Sequence, residues 1–319
     1  MTNYDKVKPV PVGLFHLSYY LPPKQVGIEQ MANSLGFSEK ELRLYRDVHG
    51  LRVVHMAEEE TGSEMALKAA ALVLEESQTD PESVDAVIMY HTAVTTSLEP
   101  NSIVGRIQHQ LGLKRSVGFS VWEQYCASII TALQVAQSMI RTSSVKTILL
   151  VGADCFFGSA KRAIDRITIQ GEGSSAMIVK AGWMTNRLVS ITTYVDGSFY
   201  RTSQCSQEDL ERFDLVYFLA TVRTIQRTLK KASLALDDIS LIIPHNINVS
   251  SWERVLNMLK CDWSKLFAEN IPRRGHIFGS DMVINLRDAI SSGRLRRDEY
   301  ALLMTAGLGA SWGCAIVQH

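Results

Sequence analysis

Short apolar runs rich in β-branched residues recur along this chain at Val84 to Tyr90, Thr147 to Ala153, Ser240 to Pro244 and Tyr300 to Thr305. Their length and their lack of polar alternation predict strands buried on both faces. Between them the period lengthens. Met65 to Glu76 places Ala, Leu and Val at three- and four-residue steps, and Ile129, Ile130, Leu133, Ala136 and Ile140 form a second helical stripe. Leu215 to Lys231, Ser250 to Leu259 and Met282 to Ile290 are further helical stretches. The alternation predicts an α/β architecture.

Each half of the chain ends in a glycine-containing turn followed by an apolar strand: Gly171 to Val179 in the first, Gly307 to Val317 in the second. The echo divides residues 1–182 from 183–319, near Gly182. No Pro-rich, Gly/Ser-rich or charged linker marks the boundary, so the two halves are expected to share one core.

At 319 residues and 46% hydrophobic content the chain can bury a large core. Lysine plus arginine and aspartate plus glutamate both number 33, so no global field draws it to nucleic acid or to an anionic membrane. No window approaches about 18 uninterrupted apolar residues, and Met1 to Pro11 lacks the apolar core of a signal peptide. The five cysteines (Cys126, Cys155, Cys205, Cys261 and Cys314) are far apart and lack zinc-site spacings. A soluble protein of the reducing cytoplasm is expected, with no metal.

Three residues stand out as candidate chemistry. Cys126 lies where a strand ending near Trp122 gives way to a helix of small and apolar residues, where backbone N–H groups and the helix dipole favour a thiolate. A buried, inert cysteine fits the same position. His245 closes the apolar run Leu241 to Pro244, at the carboxyl end of a core strand, where catalysts and ligands collect; it can equally be a plain strand end. His276 sits in a loop framed by Gly275 and Gly279, and by itself reads as a solvated loop histidine. His16, His49, His55, His91 and His109 show neither metal-ligand pairing nor such framing. Gly171, Gly173 and Ala176 match a loose dinucleotide fingerprint, but a strand follows where that fingerprint needs a helix, which excludes nicotinamide binding by that motif. Walker loops and His-Glu-x-x-His are absent.

In order, Tyr20-Leu-Pro-Pro23, Cys126 opening a helix, Gly171-Glu-Gly173, Pro244-His245-Asn246, Gly275-His276 and the closing Ala306 to Gly313 resemble the β-ketoacyl-acyl carrier protein synthase III family over nearly the whole chain. The resemblance implies a thiolase-like five-layered αβαβα fold of two similar halves, a homodimer, and convergence of Cys126, His245 and His276. It implies that Cys126 takes an acyl group from coenzyme A or from the phosphopantetheine arm of a carrier protein, with no permanently bound cofactor. The oxyanion would be held by the backbone N–H groups of Cys126 and Leu308, in the turn Gly307-Leu308-Gly309.

The family carries asparagine where His276 stands. In the condensing enzymes histidine and asparagine together stabilise the enolate left by decarboxylation of a malonyl thioester. A second histidine can supply that hydrogen bond, or it can take a proton from an alcohol, amine or thiol. The first expectation is therefore acyl transfer to an O, N or S nucleophile of a small-molecule acceptor in a specialised pathway. Decarboxylative Claisen condensation is the second, and a non-catalytic partner subunit the third. Where the family often stacks a tryptophan on the adenine of coenzyme A, this chain has Leu44, Tyr45 and His49, which implies weaker recognition of that nucleotide. Lys161, Arg162 and Arg166 are not assigned as binding residues, and Thr92 to Glu99 corresponds to the region that shapes the acyl tunnel.

Overall fold

The computed structural model describes residues 9–92, 101–156, 162–164, 166–201 and 207–319. The tunnel segment 93–99, Lys161 and Cys205 lie outside the described residues.

The four expected strands form as Ala86–Tyr90, Thr147–Asp154, Ile239–Pro244 and Tyr300–Gly307. They belong to a nine-stranded sheet whose first-half members are β1 (Val12–Tyr20), β2 (Ala86–Tyr90), β3 (Val117–Val121), β4 (Thr147–Asp154) and β5 (Gly173–Ala181). The second half supplies β6 (Arg187–Val195), β7 (Ile239–Pro244), β8 (Tyr300–Gly307) and β9 (Ser311–Gln318). The first half runs β1-β5-β4-β2-β3, antiparallel for its first two pairings and parallel thereafter. The second runs β6-β9-β8-β7 with the same alternation of sense. The two runs meet where Gly13 pairs with Arg187.

The apolar runs have no polar alternation because both faces of these strands are covered. On β4, Ile148 and Leu150 face one hydrophobic cluster while Leu149 and Val151 face another; on β8, Ala301 and Leu303 divide in the same way from Leu302 and Met304. Three apolar layers result. The middle one holds α3 (Ser128–Thr142) and α6 (Ser280–Ser291), each in contact with strands. The outer ones hold α1 (Gly62–Ser77) with α2 (Ile103–Gln110) over the first half, and α4 (Gln207–Ala232) with α5 (Val249–Leu259) over the second. Helix, sheet, helix, sheet, helix is the five-layered order that the resemblance implied.

Sandwiching explains the composition of the middle helices. Ile129, Ile130, Leu133 and Ala136 of α3, and Met282, Val283, Ile284 and Leu286 of α6, are all at most 1% exposed. Full burial of the Ile, Leu, Met and Val side chains among them is worth about 1.5–3 kcal/mol each. Among the described residues no helix is long and apolar enough to cross a membrane.

Candidate active site

Cys126 lies in a single 3-10 turn, Tyr125–Ala127, that ends the passage from β3 and leads into α3. Sequence reading put it at the first turn of the helix; the tighter turn intervenes. Tyr125, just before the thiol, holds a left-handed backbone with φ of 49°, a conformation that costs a non-glycine residue of order 1 kcal/mol and persists only where its surroundings enforce it. They do: Thr305 Oγ1 donates to the Cys126 carbonyl at 3.2 Å, and Ser311 Oγ donates to the Gln124 carbonyl at 2.8 Å. The turn after β8 presses so closely that a Cβ on Gly307 would stand 2.2 Å from the Gln124 oxygen. The 307–309 turn is thus packed directly on the segment that carries the thiol.

His276 is brought to the thiol from the other half. Gly275 adopts φ of 67°, and a Cβ there would meet Val54 Cγ1 at 2.7 Å. The loop is pinned to the first half by His276 N–H donating to the Ile169 carbonyl at 3.3 Å and by Gly171 N–H donating to the His276 carbonyl at 2.9 Å. The motif Gly171-Glu-Gly173 therefore aligns the histidine loop. Glu172, 1% exposed, locks the rest: it accepts from the Ala57 and Phe156 N–H groups, each at 2.7 Å, and from Arg162 at 2.8 Å.

In this setting His276 Nε2 stands 3.4 Å from Cys126 Sγ, and Nδ1 lies 2.6 Å from Asp281 Oδ2. Asp281 was not among the residues singled out from sequence. It is 0% exposed in the first turn of α6, and its carboxylate also accepts from the N–H groups of Ile277 and Asn246, each at 2.7 Å. One carboxylate thus ties the His276 loop to the strand end that carries His245. Its signal was present in the sequence: a lone acid followed by Met282, Val283 and Ile284, five residues past a glycine-framed histidine. An unpaired charge there would be costly, so a buried partner was required.

The two histidines are pushed in opposite directions. Burial alone would strip His276 of its proton, but the charges and hydrogen bonds of Asp281 and Cys126 outweigh it and raise its pKa to about 10. Burial first, and then the neighbouring His276 charge, push His245 down to about 3. The imidazole rings lie 5.9 Å apart between centroids. His245 places Nδ1 3.3 Å from the Met304 carbonyl and Nε2 3.2 Å from Tyr217 Oη, while its own carbonyl accepts from Trp252 Nε1 at 3.0 Å. Tyr217, 8% exposed on α4, was also not singled out, because it reads as one more apolar position of a helical stripe.

Elsewhere the expected departures take physical form. Tyr45 is 1% exposed and its hydroxyl accepts from the Arg166 N–H at 2.9 Å, while His49 is buried against the Arg166 carbonyl and Ser250. Neither ring is displayed for stacking on a nucleotide. Arg162 is committed to Glu172 and lies over the Phe156 ring.

Residues 122–197 match the model of 3-oxoacyl-[acyl-carrier-protein] synthase III, and residues 229–319 match that of its C-terminal part. The chain belongs to the 3-oxoacyl-[acyl-carrier-protein] synthase III family. Among synthase III relatives, the β-ketoacyl-[acyl-carrier-protein] synthase III of Listeria monocytogenes is 25% identical over 313 residues, 96% of this chain and 98% of its own. The crystal structure of the Aquifex aeolicus synthase III superposes with a TM-score of 0.84 at 23% identity, covering 97% of this chain and all of that one. A structure described as the acyltransferase ChlB3 superposes with a TM-score of 0.86 at 19% identity, covering 97% of each. The synthase III architecture, with its thiolase fold, is thus common to these chains.

Proposed function

We propose that this protein is an acyltransferase that holds its acyl group as a thioester on Cys126 and passes it to an O, N or S nucleophile. The observation that carries the reading is the line Cys126, His276, Asp281: a thiol, a histidine within 3.4 Å of it, and a carboxylate 2.6 Å from the far ring nitrogen. A nucleophile, a base and a group that orients the base are what acyl transfer requires.

In the loading step the Cys126 sulfur attacks the donor carbonyl, the donor carbon–sulfur bond breaks, and the proton held on His276 leaves with the departing thiol. In the transfer step His276 takes the proton of the acceptor while its heteroatom attacks the acyl carbon, and Cys126 is released. Asp281 keeps the imidazole in the tautomer that points Nε2 at the reacting atoms. The backbone N–H groups of Cys126 and Leu308 are the proposed oxyanion donors, each worth about 3 kcal/mol; the close seat of Gly307 on Gln124 supports this assignment. The buried Tyr45 and His49 support a carrier-protein donor over coenzyme A. A homodimer, a cytoplasmic setting, a specialised pathway and the absence of a resident cofactor complete the reading.

Decarboxylative condensation is the second reading. The naming of relatives such as the Listeria protein as β-ketoacyl synthase III favours it. Intact-protein mass spectrometry after incubation with acyl-coenzyme A and acyl-carrier thioesters, on the native chain and on Cys126→Ala, tests the covalent step. Labelled malonyl thioester separates the two readings. Carbon dioxide release coupled to chain extension would replace transfer by condensation, and no adduct from any thioester would leave the non-catalytic partner subunit.

A further inference from the structure

We propose that Tyr217, together with the Met304 carbonyl, determines which bond this enzyme makes, by holding His245 as a hydrogen-bond acceptor at Nε2 and so withholding a donor that an enolate needs. The inference rests on the acyl-transfer reading and deepens it.

The direction of each hydrogen bond follows from the partners. The Met304 carbonyl can only accept, so His245 Nδ1, 3.3 Å away, carries the hydrogen. The ring is 2% exposed and stands beside the cationic His276, so it is neutral and has that one proton only. Nε2 is therefore a bare lone pair, and the Tyr217 hydroxyl, 3.2 Å away, donates to it. The hydrogens of the chain run from Tyr217 to His245 and from His245 to Met304, which leaves the lone pairs of Tyr217 Oη as its remaining acceptor sites. Cys126 is near enough that, after burial, it further raises the pKa of the phenol.

Two reactions make different demands on His245. When a malonyl thioester decarboxylates, the bond to the carboxylate carbon breaks, carbon dioxide leaves, and the electron pair passes into an enolate. Its negative oxygen requires hydrogen-bond donors. His276, having given its Nε2 proton to the leaving thiol, supplies one only once it is protonated again; one from His245 Nε2 does not exist while the Met304 carbonyl holds the ring proton on Nδ1 and Tyr217 donates to Nε2. An alcohol, amine or thiol that attacks the acyl carbon forms no enolate and makes no such demand on His245. Tyr217 acts through His245 and is a positioning residue.

Two readouts test the proposal. Two-bond nitrogen–proton NMR correlation on histidine-labelled protein, assigned with His245→Asn, reads the tautomer directly; the expected result is Nδ1–H at His245. Carboxyl-labelled malonyl thioester then gives the ratio of carbon dioxide released to Cys126 acylated, which should rise about tenfold or more in Tyr217→Phe, a change of about 1.4 kcal/mol in relative barrier. An Nε2–H tautomer in the unmodified protein overturns the proposal, whether or not the variant folds. So does a Tyr217→Phe protein that acylates Cys126 with the ratio within about twofold of the original. If no thioester acylates Cys126, it is the acyl-transfer reading that falls, and the tautomer still decides where the His245 proton sits.

Discussion

Asp281 Oδ2 lies 2.6 Å from Nδ1 of His276, and the same carboxylate accepts two backbone N–H groups, one from each histidine-bearing segment. The acid therefore sets both the position of the base and the proton it carries. Asp281→Asn should lower the rate of Cys126 acylation by up to about 10⁴-fold, the loss seen when the orienting acid of a triad is made an amide. It should also cost about 3 kcal/mol of stability, because a buried charge pair loses one partner. Single-turnover acylation by mass spectrometry and urea denaturation check the two parts separately.

Replacing His276 by the asparagine of the wider family is a sharper test of its role. An amide donates a hydrogen bond but takes no proton. His276→Asn should reduce transfer to an acceptor by about 10²-fold or more, with no gain in carbon dioxide release from malonyl thioester. Retained acylation together with new chain extension would show that position 276 alone selects the chemistry.

Stability should peak near neutrality for an identifiable reason. His276 is raised from 6.5 to about 10, so between those values the native state holds a proton that the unfolded chain has lost, and stability falls as pH rises through that window. His245 is lowered from 6.5 to about 3, so between about 6.5 and 3 the unfolded chain holds the extra proton and stability falls as pH drops. Denaturant midpoints measured from pH 4 to 10 should show both limbs. The alkaline limb should flatten in His276→Gln and the acid limb in His245→Gln, beyond what surface groups contribute to either.

A methyl group at Gly307 should be enough to disable the site. Its Cβ would sit 2.2 Å from the Gln124 oxygen and 3.0 Å from Tyr125 Cβ, and backbone cannot swing aside as a side chain can. Gly307→Ala is expected to lose about 1–3 kcal/mol to overpacking and to acylate slowly even when folded. A variant that matches the native chain in both measurements would detach the 307–309 turn from the thiol's setting.

The apolar runs at Val84 to Tyr90 and Thr147 to Ala153 announced buried strands because a doubly covered strand has no polar face to hide. β6 went unread: Thr192, Thr193 and Tyr194 near its end break the run, and its place between β9 and β1 makes it a core strand. The positions of Cys126, His245 and His276 were legible from local setting and from the ordered resemblance. Asp281 and Tyr217 were not singled out, because the role of each is a relation to a histidine distant in space from the residues that surround it in sequence. A carboxylate in a helix's first turn reads as a cap, and a tyrosine in a helical stripe reads as core.

Cys126 comes from the portion of the chain before Gly182, whereas His245, His276 and Asp281 all come after it. While the chain is being synthesised, the cysteine emerges long before any base exists to serve it, and α3, the helix it leads into, still lacks the second-half strands that cover it. On the acyl-transfer reading, its reactivity waits on the final third of the polypeptide. On that reading a truncated or half-assembled molecule would carry an idle thiol, and no thioester would be consumed by it until the fold is complete.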